Sequence, residues 1–128
     1  MAAHFNNCWV TESGELCEVV INNVTFKMRA ITAGEFHNMY STCRLADIGG
    51  TAVDKYTNID FMKLQTMTVA TALGAFKKIG GEGWTDDREV TFENIELLRQ
   101  GIVTQLYEEH DKFFRNFTGD NSKHKPND

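Results

Sequence analysis

The spacing of apolar residues changes between residues 24 and 36, and this change restricts the fold more than any other feature of the chain. Apolar residues first occupy every second position, as in a half-buried strand: Val24, Phe26, Met28 and Ala30. Thr32 is then followed three residues later by Glu35, the spacing of a capping box in which each side chain binds the other residue's backbone N–H. The sequence therefore predicts a strand over residues 24–31 and a helix that begins at Ala33 and runs to about Ala46.

A second extended run, Leu16–Ile21, precedes this strand. The two runs are joined by Asn22 and Asn23, and asparagine tolerates the positive φ angles that a two-residue hairpin turn requires. The segment "NCWVTE", residues 7–12, is a candidate third strand because the turn-like pair Ser13 and Gly14 follows it. The N-terminal part is therefore predicted to be an antiparallel β-hairpin of two or three strands.

Two further helices are predicted, which makes three main helices after the hairpin. The second helix begins near Asn58 or Ile59 and ends at Ile79, where Gly80 and Gly81 follow and one of them can adopt the left-handed C-terminal conformation. The third helix begins after Thr91, a good N-cap residue. It carries an apolar stripe that consists of Phe92, Ile95, Leu98, Ile102, Leu106, Phe113 and Phe117. The predicted fold class is α+β, mostly α.

The second predicted helix has no charged residue between Lys63 and Lys77. A helix without a charged face is usually buried on all sides, either inside its own domain or against another subunit. The sequence leaves both interpretations open. Residues 1–117 are predicted to form a single domain, because the chain is long enough for one hydrophobic core. Residues 118–128 offer no apolar residue that could anchor them, and they are predicted to be a disordered polar tail.

Composition argues against several functional classes. The 128 residues carry a net charge of −5 without clusters of Lys and Arg, so binding to nucleic acid through phosphate contacts is not expected. No apolar run approaches the roughly 20 residues that cross a bilayer, so no membrane partner is expected. The N-terminus shows neither a secretory signal nor a transit peptide, and three cysteines are an odd number for a disulfide framework. We therefore expect free thiols in a reducing cytoplasm.

Residue types that could support chemistry are present, but their spacing is poor. His4, Cys8 and Cys17 could bind zinc, although they form no CxxC pair. Cys43 could act as a nucleophile with His37, but six residues on one helix do not place the two side by side. The carboxylate clusters, Asp86 and Asp87 and then Glu108, Glu109 and Asp111, are typical of solvated surfaces. No catalytic residue, metal site or cofactor is therefore predicted.

The aromatic segment "KFFRNF" is the strongest candidate for contact with another protein. Phe113 and Phe117 continue the stripe of the third helix, whereas Phe114 lies off it, so at least one ring is a candidate for exposure or for cover by a partner. Core packing is the alternative, since most aromatic residues in small domains are buried. Together with Met67 and Val69 of the uncharged helix, these three phenylalanines form the predicted partner-binding set.

The order of these elements resembles that of the tail assembly chaperones of long-tailed bacteriophages and prophages. The likeness in individual residues lies where the strand enters the capped helix, at Arg29, Ile31, Thr32 and Glu35. A glycine-rich break, the helix "IDFMKLQTMTVATALGAF", a Trp-containing connection and "NIELLRQGIVTQLYEEHDKF" follow in the order found in that family.

The resemblance implies a non-enzymatic protein of virion morphogenesis that acts in the cytoplasm of the bacterial host and is absent from the mature virion. Its implied partners are the tape measure protein, which it would bind and keep soluble, and the tail tube protein, which such chaperones help to recruit. The family often makes a longer form by ribosomal frameshifting, through which the tail tube contact can occur. Exposed apolar surface also favours a homo-oligomer. The alternatives are a structural or adaptor component of the tail, of the tail completion type, and, less favoured, a small enzyme.

Overall fold

The computed structural model of the chain describes residues 8–11, 14–44 and 59–115. The fold is α+β and mostly α: a small antiparallel sheet lies against helices. We number the strands β1 (Leu16–Ile21), β2 (Val24–Arg29) and β3 (Gly83–Trp84), and the helices α1 (Ala33–Thr42), α2 (Phe61–Leu73), α3 (Phe92–Glu96) and α4 (Gln100–Arg115). No helix within the described residues is both long and apolar enough to cross a membrane.

The predicted hairpin is confirmed. β1 and β2 pair without a bulge from Leu16 opposite Arg29 to Ile21 opposite Val24. The two turn residues, both asparagines, have φ angles of 51° and 69°, the left-handed values that a tight hairpin requires.

The third strand of the sheet is Gly83–Trp84 and not the N-terminal segment "NCWVTE" that the sequence predicts as a candidate. The sheet order is β1-β2-β3, and β3 pairs Trp84 with Phe26. Residues 8–11, the described part of the candidate strand "NCWVTE", lie outside any strand. The rings of Phe26 and Trp84 meet edge to face with centroids 6.0 Å apart, and this tertiary contact stabilises the position of β3. β3 has only two residues, so its sequence shows no alternating pattern.

The junction between β2 and α1 has the predicted capping box. The Thr32 hydroxyl accepts a hydrogen bond from the Glu35 N–H, and the Glu35 carboxylate accepts one from the Thr32 N–H, each at 3.0 Å. α1 ends at Thr42, earlier than predicted, because the chain then forms a bridge between Arg44 and Ile59. The predicted end at Ala46 lies outside the described residues.

The second helix is shorter than predicted. α2 begins after its N-cap residue Asp60 and ends at Leu73, six residues before the predicted end at Ile79. Gly74, with a φ of 102°, supplies the left-handed C-cap, because the chain folds back there and brings Gly81 against it. Residues 68–73 are all buried within the chain, which supports the first of the two interpretations of the uncharged segment.

The third predicted helix is interrupted. A turn at residues 97–99 separates α3 from α4, and the exposed Leu97 caps α3. Neither glycine nor proline marks this break in the sequence, so the stripe looked continuous. Ile95 before the break and Leu106 after it are both fully buried. Phe117 and the predicted tail of residues 118–128 lie outside the described residues.

Two clusters form the core. The larger one fills the space between the sheet, α2 and α4, with Met28, Leu73, Ile95 and Leu106 almost completely buried. The smaller one joins α1 to the first half of α2 and contains Met39, Cys43, Ile59 and Leu64. α1 therefore depends on the small cluster and on polar contacts at its N-terminus for its position.

Candidate functional site

A buried ion pair fixes the N-terminus of α1. Arg29, at the end of β2, is only 2% exposed, and its guanidinium binds both carboxylate oxygens of Glu35 at 2.9 and 2.7 Å. The same guanidinium donates to the carbonyl of Ala30 at 2.8 Å and, through Nε, to the carbonyl of Gly80. The bidentate geometry and the extra carbonyl acceptors satisfy a charge that would otherwise be costly to bury.

The electrostatics of this pair favour its charged form. Burial by itself raises the pKa of the Glu35 carboxyl. Hydrogen bonds from Arg29 and from the Thr32 backbone, together with the positive charge of Arg29, outweigh burial and place the pKa of Glu35 below its ordinary value. Glu35 is therefore an ionised structural residue with its oxygens occupied.

His110 of α4 binds the backbone of the same strand. Its Nε2–H donates to the Arg29 carbonyl oxygen at 2.9 Å, and its ring lies 4.7 Å from the ring of Phe114. Burial lowers the pKa of His110 below its ordinary value, and the hydrogen bond to the Arg29 carbonyl offsets this only in part. β2, α1, α4 and the loop around residue 80 thus meet around one arginine.

The alternating pattern of the hairpin concealed the role of Arg29. The alternation places Thr25, Lys27 and Arg29 on the face opposite the apolar side chains, a pattern that predicts exposure. Arg29 is instead buried, because α1 and the loop at Gly80 cover the end of the strand. The signal that could have identified it is the spacing of six residues between an arginine and a capping-box glutamate across a strand-to-helix junction.

A surface groove of about 210 Å³ runs between α1 and α2. Its apolar lining comes mainly from Met39, Met67 and Phe76. Phe76 is 43% exposed and Met67 is half-buried, whereas Met39 is a member of the small core cluster and only 3% exposed. The two helices are antiparallel here, since the Thr71 hydroxyl meets the sulfur of Met39 and the Cys43 thiol meets the sulfur of Met67, at 3.5 and 3.6 Å. A flexible methionine such as Met67, in a groove between helices, is suited to apolar side chains of varied shape.

Polar residues also line the groove. Glu35 is in the first turn of α1 and Thr42 is its last residue. Lys78 also lines the groove, two residues before Gly80, whose carbonyl binds the side chain of Arg29. The other polar lining residues are Asn38 and Thr71. The groove therefore combines an apolar floor with a few polar groups, the usual composition of a binding surface.

The predicted partner-binding residues do not form one surface. Met67 lies in the groove, whereas Val69 is 0% exposed and belongs to the main core, so a partner cannot touch it in this conformation. Phe113 and Phe114 are half-buried, pack against the main core and meet each other edge to face at 4.9 Å. Phe117 lies outside the described residues. The sequence interpretation missed Met39 and Phe76, since Phe76 was placed inside a helix that ends before it.

The candidate nucleophile is not activated. Cys43 is buried, and burial raises the pKa of its thiol, whereas His37 is exposed. For the zinc candidates, Cys8 is exposed and Cys17 is buried, and His4 lies outside the described residues. Within the described ranges no three His, Cys, Asp or Glu side chains come together in a way that could hold a metal ion.

The predicted carboxylate clusters stay at the surface. Asp86 and Asp87 are exposed, and Asp86 accepts a hydrogen bond from the Arg88 N–H at 2.9 Å. Glu108 and Asp111 are exposed on α4, and Glu109 between them is half-buried. These positions agree with the solvated surface predicted for them.

Comparisons of the chain with models of protein families, with curated proteins and with solved structures gave no match.

Proposed function

We propose that this protein is a non-enzymatic tail assembly chaperone of long-tailed bacteriophages. It binds and solubilises the tape measure protein and helps to recruit tail tube subunits during morphogenesis. It acts in the cytoplasm of the bacterial host and is left out of the mature virion. The proposal builds on the sequence resemblance around Arg29, Thr32 and Glu35 and on one structural observation, the groove between α1 and α2.

The groove supports this function because its shape and chemistry fit an amphipathic helix. Two antiparallel helices present a channel into which a third helix can lay its apolar face. α1 has 10 residues and is therefore about 15 Å long, which accommodates nearly three turns of a client helix. The side chain of Met67 can adapt to different partners, as a chaperone with a long and varied client requires.

The buried ion pair gives the groove a stable wall. Glu35 and Met39 both belong to α1, and Arg29 holds the first turn of that helix to the sheet. A wall that is fixed before the client arrives lowers the ordering cost of binding. The resemblance motif and the groove are thus parts of the same arrangement.

Exposed apolar side chains supply a second argument for contact with other proteins. Phe36, Phe61 and Met62 are each half exposed or more. Such side chains are kept from water by self-association when no client is present, so we propose a homo-oligomer as the resting state.

Co-purification with the tape measure protein tests the function. The chain is co-expressed with the tape measure protein of a long-tailed phage, and the soluble fraction of that protein is measured with and without the chain. The expected result is a soluble complex. The variant Met67→Gln with Phe76→Ser should lower recovery of the complex, because it makes the groove floor polar.

Leu97→Ser is the matched control. Leu97 is 70% exposed and lies outside the groove lining, so its replacement removes a similar exposed apolar side chain elsewhere. Equal recovery with the groove variant and with the control would reject the groove as the client site. A chain that leaves the tape measure protein insoluble and is present in purified particles would instead identify a structural component of the tail.

A further inference from the structure

The groove has an unequal charge distribution along its length. Among the described lining residues, the charged side chains are Glu35 and Lys78. Glu35 is in the first turn of α1, and Lys78 is two residues before Gly80, whose carbonyl accepts from the guanidinium that pairs with Glu35. The Glu35 carboxylate is neutralised by the bidentate contact with Arg29. Lys78 is exposed and makes no ion pair with any described residue. The end of the groove at the first turn of α1 therefore has an uncompensated positive charge.

Two neighbouring features increase this positive charge. Lys77 is also exposed and directly precedes Lys78. α1 begins at this end, and the partial positive charge of a helix N-terminus adds to that of the lysines. At the opposite end the groove lining is Thr42, which carries no charge.

We propose that the groove selects amphipathic helices that carry a carboxylate side chain at the end which meets Lys78. This inference rests on the proposed function and defines the kind of client segment that the groove binds. The apolar floor accepts apolar side chains with little discrimination, whereas the lysine favours clients with an acidic residue and disfavours those with a basic one. The ion pair with Lys78 also determines where along the groove the client helix binds.

Synthetic helical peptides test the proposal without the tape measure protein. The peptides have about 14 residues, nearly four turns, with one leucine stripe. Three versions of the peptide differ only at two positions, which lie beside the leucine stripe at one end of the helix and carry Glu, Gln or Lys. Binding to the full-length chain is followed by fluorescence anisotropy at low and at high salt.

The Glu peptide should bind about three- to fivefold more tightly than the Gln peptide at low salt, which is the range expected for an exposed ion pair. The difference should shrink at high salt because the charges are screened. In Lys78→Gln the preference for the Glu peptide should fall, and in Lys78→Glu the Lys peptide should bind best. Lys112→Gln, at an exposed position of α4, is the control and should retain the wild-type preference.

Three outcomes would overturn the inference: no binding by any peptide, equal binding of the Glu and Gln peptides by the wild type, or an undiminished preference in Lys78→Gln when the circular dichroism of that variant matches the wild type. The two proposals can fail separately. If Lys78→Glu leaves recovery of the tape measure complex unchanged, charge selection is wrong and the chaperone function stands. If the peptides are selected as expected but no tape measure complex forms, the function is wrong and the selective groove stands.

Discussion

Replacement of Glu35 by Gln should strongly destabilise the protein, because it leaves a buried guanidinium without its counter-charge. The side chains of Arg29 and Glu35 are 3% and 10% exposed, and the carboxylate accepts two hydrogen bonds from the guanidinium and one from the Thr32 N–H. Removal of one partner from a buried ion pair costs about 3–5 kcal/mol. Domains are typically stable by only about 5–15 kcal/mol, so the loss is a large fraction of the total.

Urea denaturation followed by far-ultraviolet circular dichroism measures this effect. With an m-value of about 2 kcal/mol per molar urea, the midpoint should fall by roughly 2 M. Glu18→Gln is the control, since Glu18 pairs with Lys27 at 3.9 Å on the exposed face of the hairpin. A pair of that kind contributes less than about 1 kcal/mol, so the control should shift the midpoint little.

The double variant Arg29→Met with Glu35→Gln separates the ion pair from the space it fills. It should be less destabilised than the sum of its two single variants, because no buried charge is left unpaired. The pH dependence gives an independent check: since the folded-state pKa of Glu35 is lowered, its stabilisation is present above about pH 4.3 and is lost as the pH falls below that value. If Glu35→Gln and Glu18→Gln have the same midpoint, the assignment of Arg29 and Glu35 as a stabilising pair is wrong.

Three further predictions concern single positions. Gly74→Ala should destabilise the protein by more than about 1 kcal/mol, because Gly74 has a positive φ. Gly34→Ala should stabilise it by about 0.5–1 kcal/mol, because a Cβ at that position of α1 meets open space. Identical thermal melts of the two variants would contradict this prediction. Burial lowers the folded-state pKa of His110, so the unfolded chain takes up the proton first and stability falls as the pH drops below about 6.5. His110→Gln should flatten that dependence between pH 5 and 7 in urea titrations, and an unchanged slope would exclude His110 as its source. Leu106→Ala, at a fully buried site, should cost about 2–5 kcal/mol by the same assay, and a cost under 1 kcal/mol would show that the core can close around the deletion.

Local features of the fold could be predicted from the sequence because neighbouring residues determine them. Paired asparagines between two extended runs gave the hairpin and its turn. The spacing of Thr32 and Glu35 gave the start of α1, and Thr91 gave the start of α3. In each of these cases the contacts that stabilise the feature span a few residues, so their signal is present in a short segment.

Features that depend on distant contacts could not be predicted. α2 ends at Leu73, where Gly81 packs against the C-cap residue Gly74, whereas the helix pattern alone favours continuation to Ile79. The pairing of β2 with β3 brings together Phe26 and Trp84, which are far apart in the sequence. Local propensity cannot report such contacts, since the same residues are compatible with a loop.

The groove was only partly predicted. Met67 was among the candidate residues because the uncharged segment suggested an interaction surface, and Val69 was selected for the same reason although it is fully buried. Sequence spacing identifies which residues share a helix face, but it does not show which face a second helix leaves open. Phe76 entered the groove only because α2 ends before it.

The single guanidinium at the end of β2 has a consequence for how this protein opens. The Arg29 side chain binds the first turn of α1 and the loop before β3, and the Arg29 backbone carbonyl accepts a hydrogen bond from α4. Local unfolding of that loop would remove the Gly80 carbonyl as an acceptor for the guanidinium. The guanidinium would then be hydrated, and its contact with α1, which forms one wall of the groove, would weaken. Amide protons in α1 and in residues 74–81 should therefore exchange with solvent as one cooperative unit, at a rate unlike that of the hairpin turn.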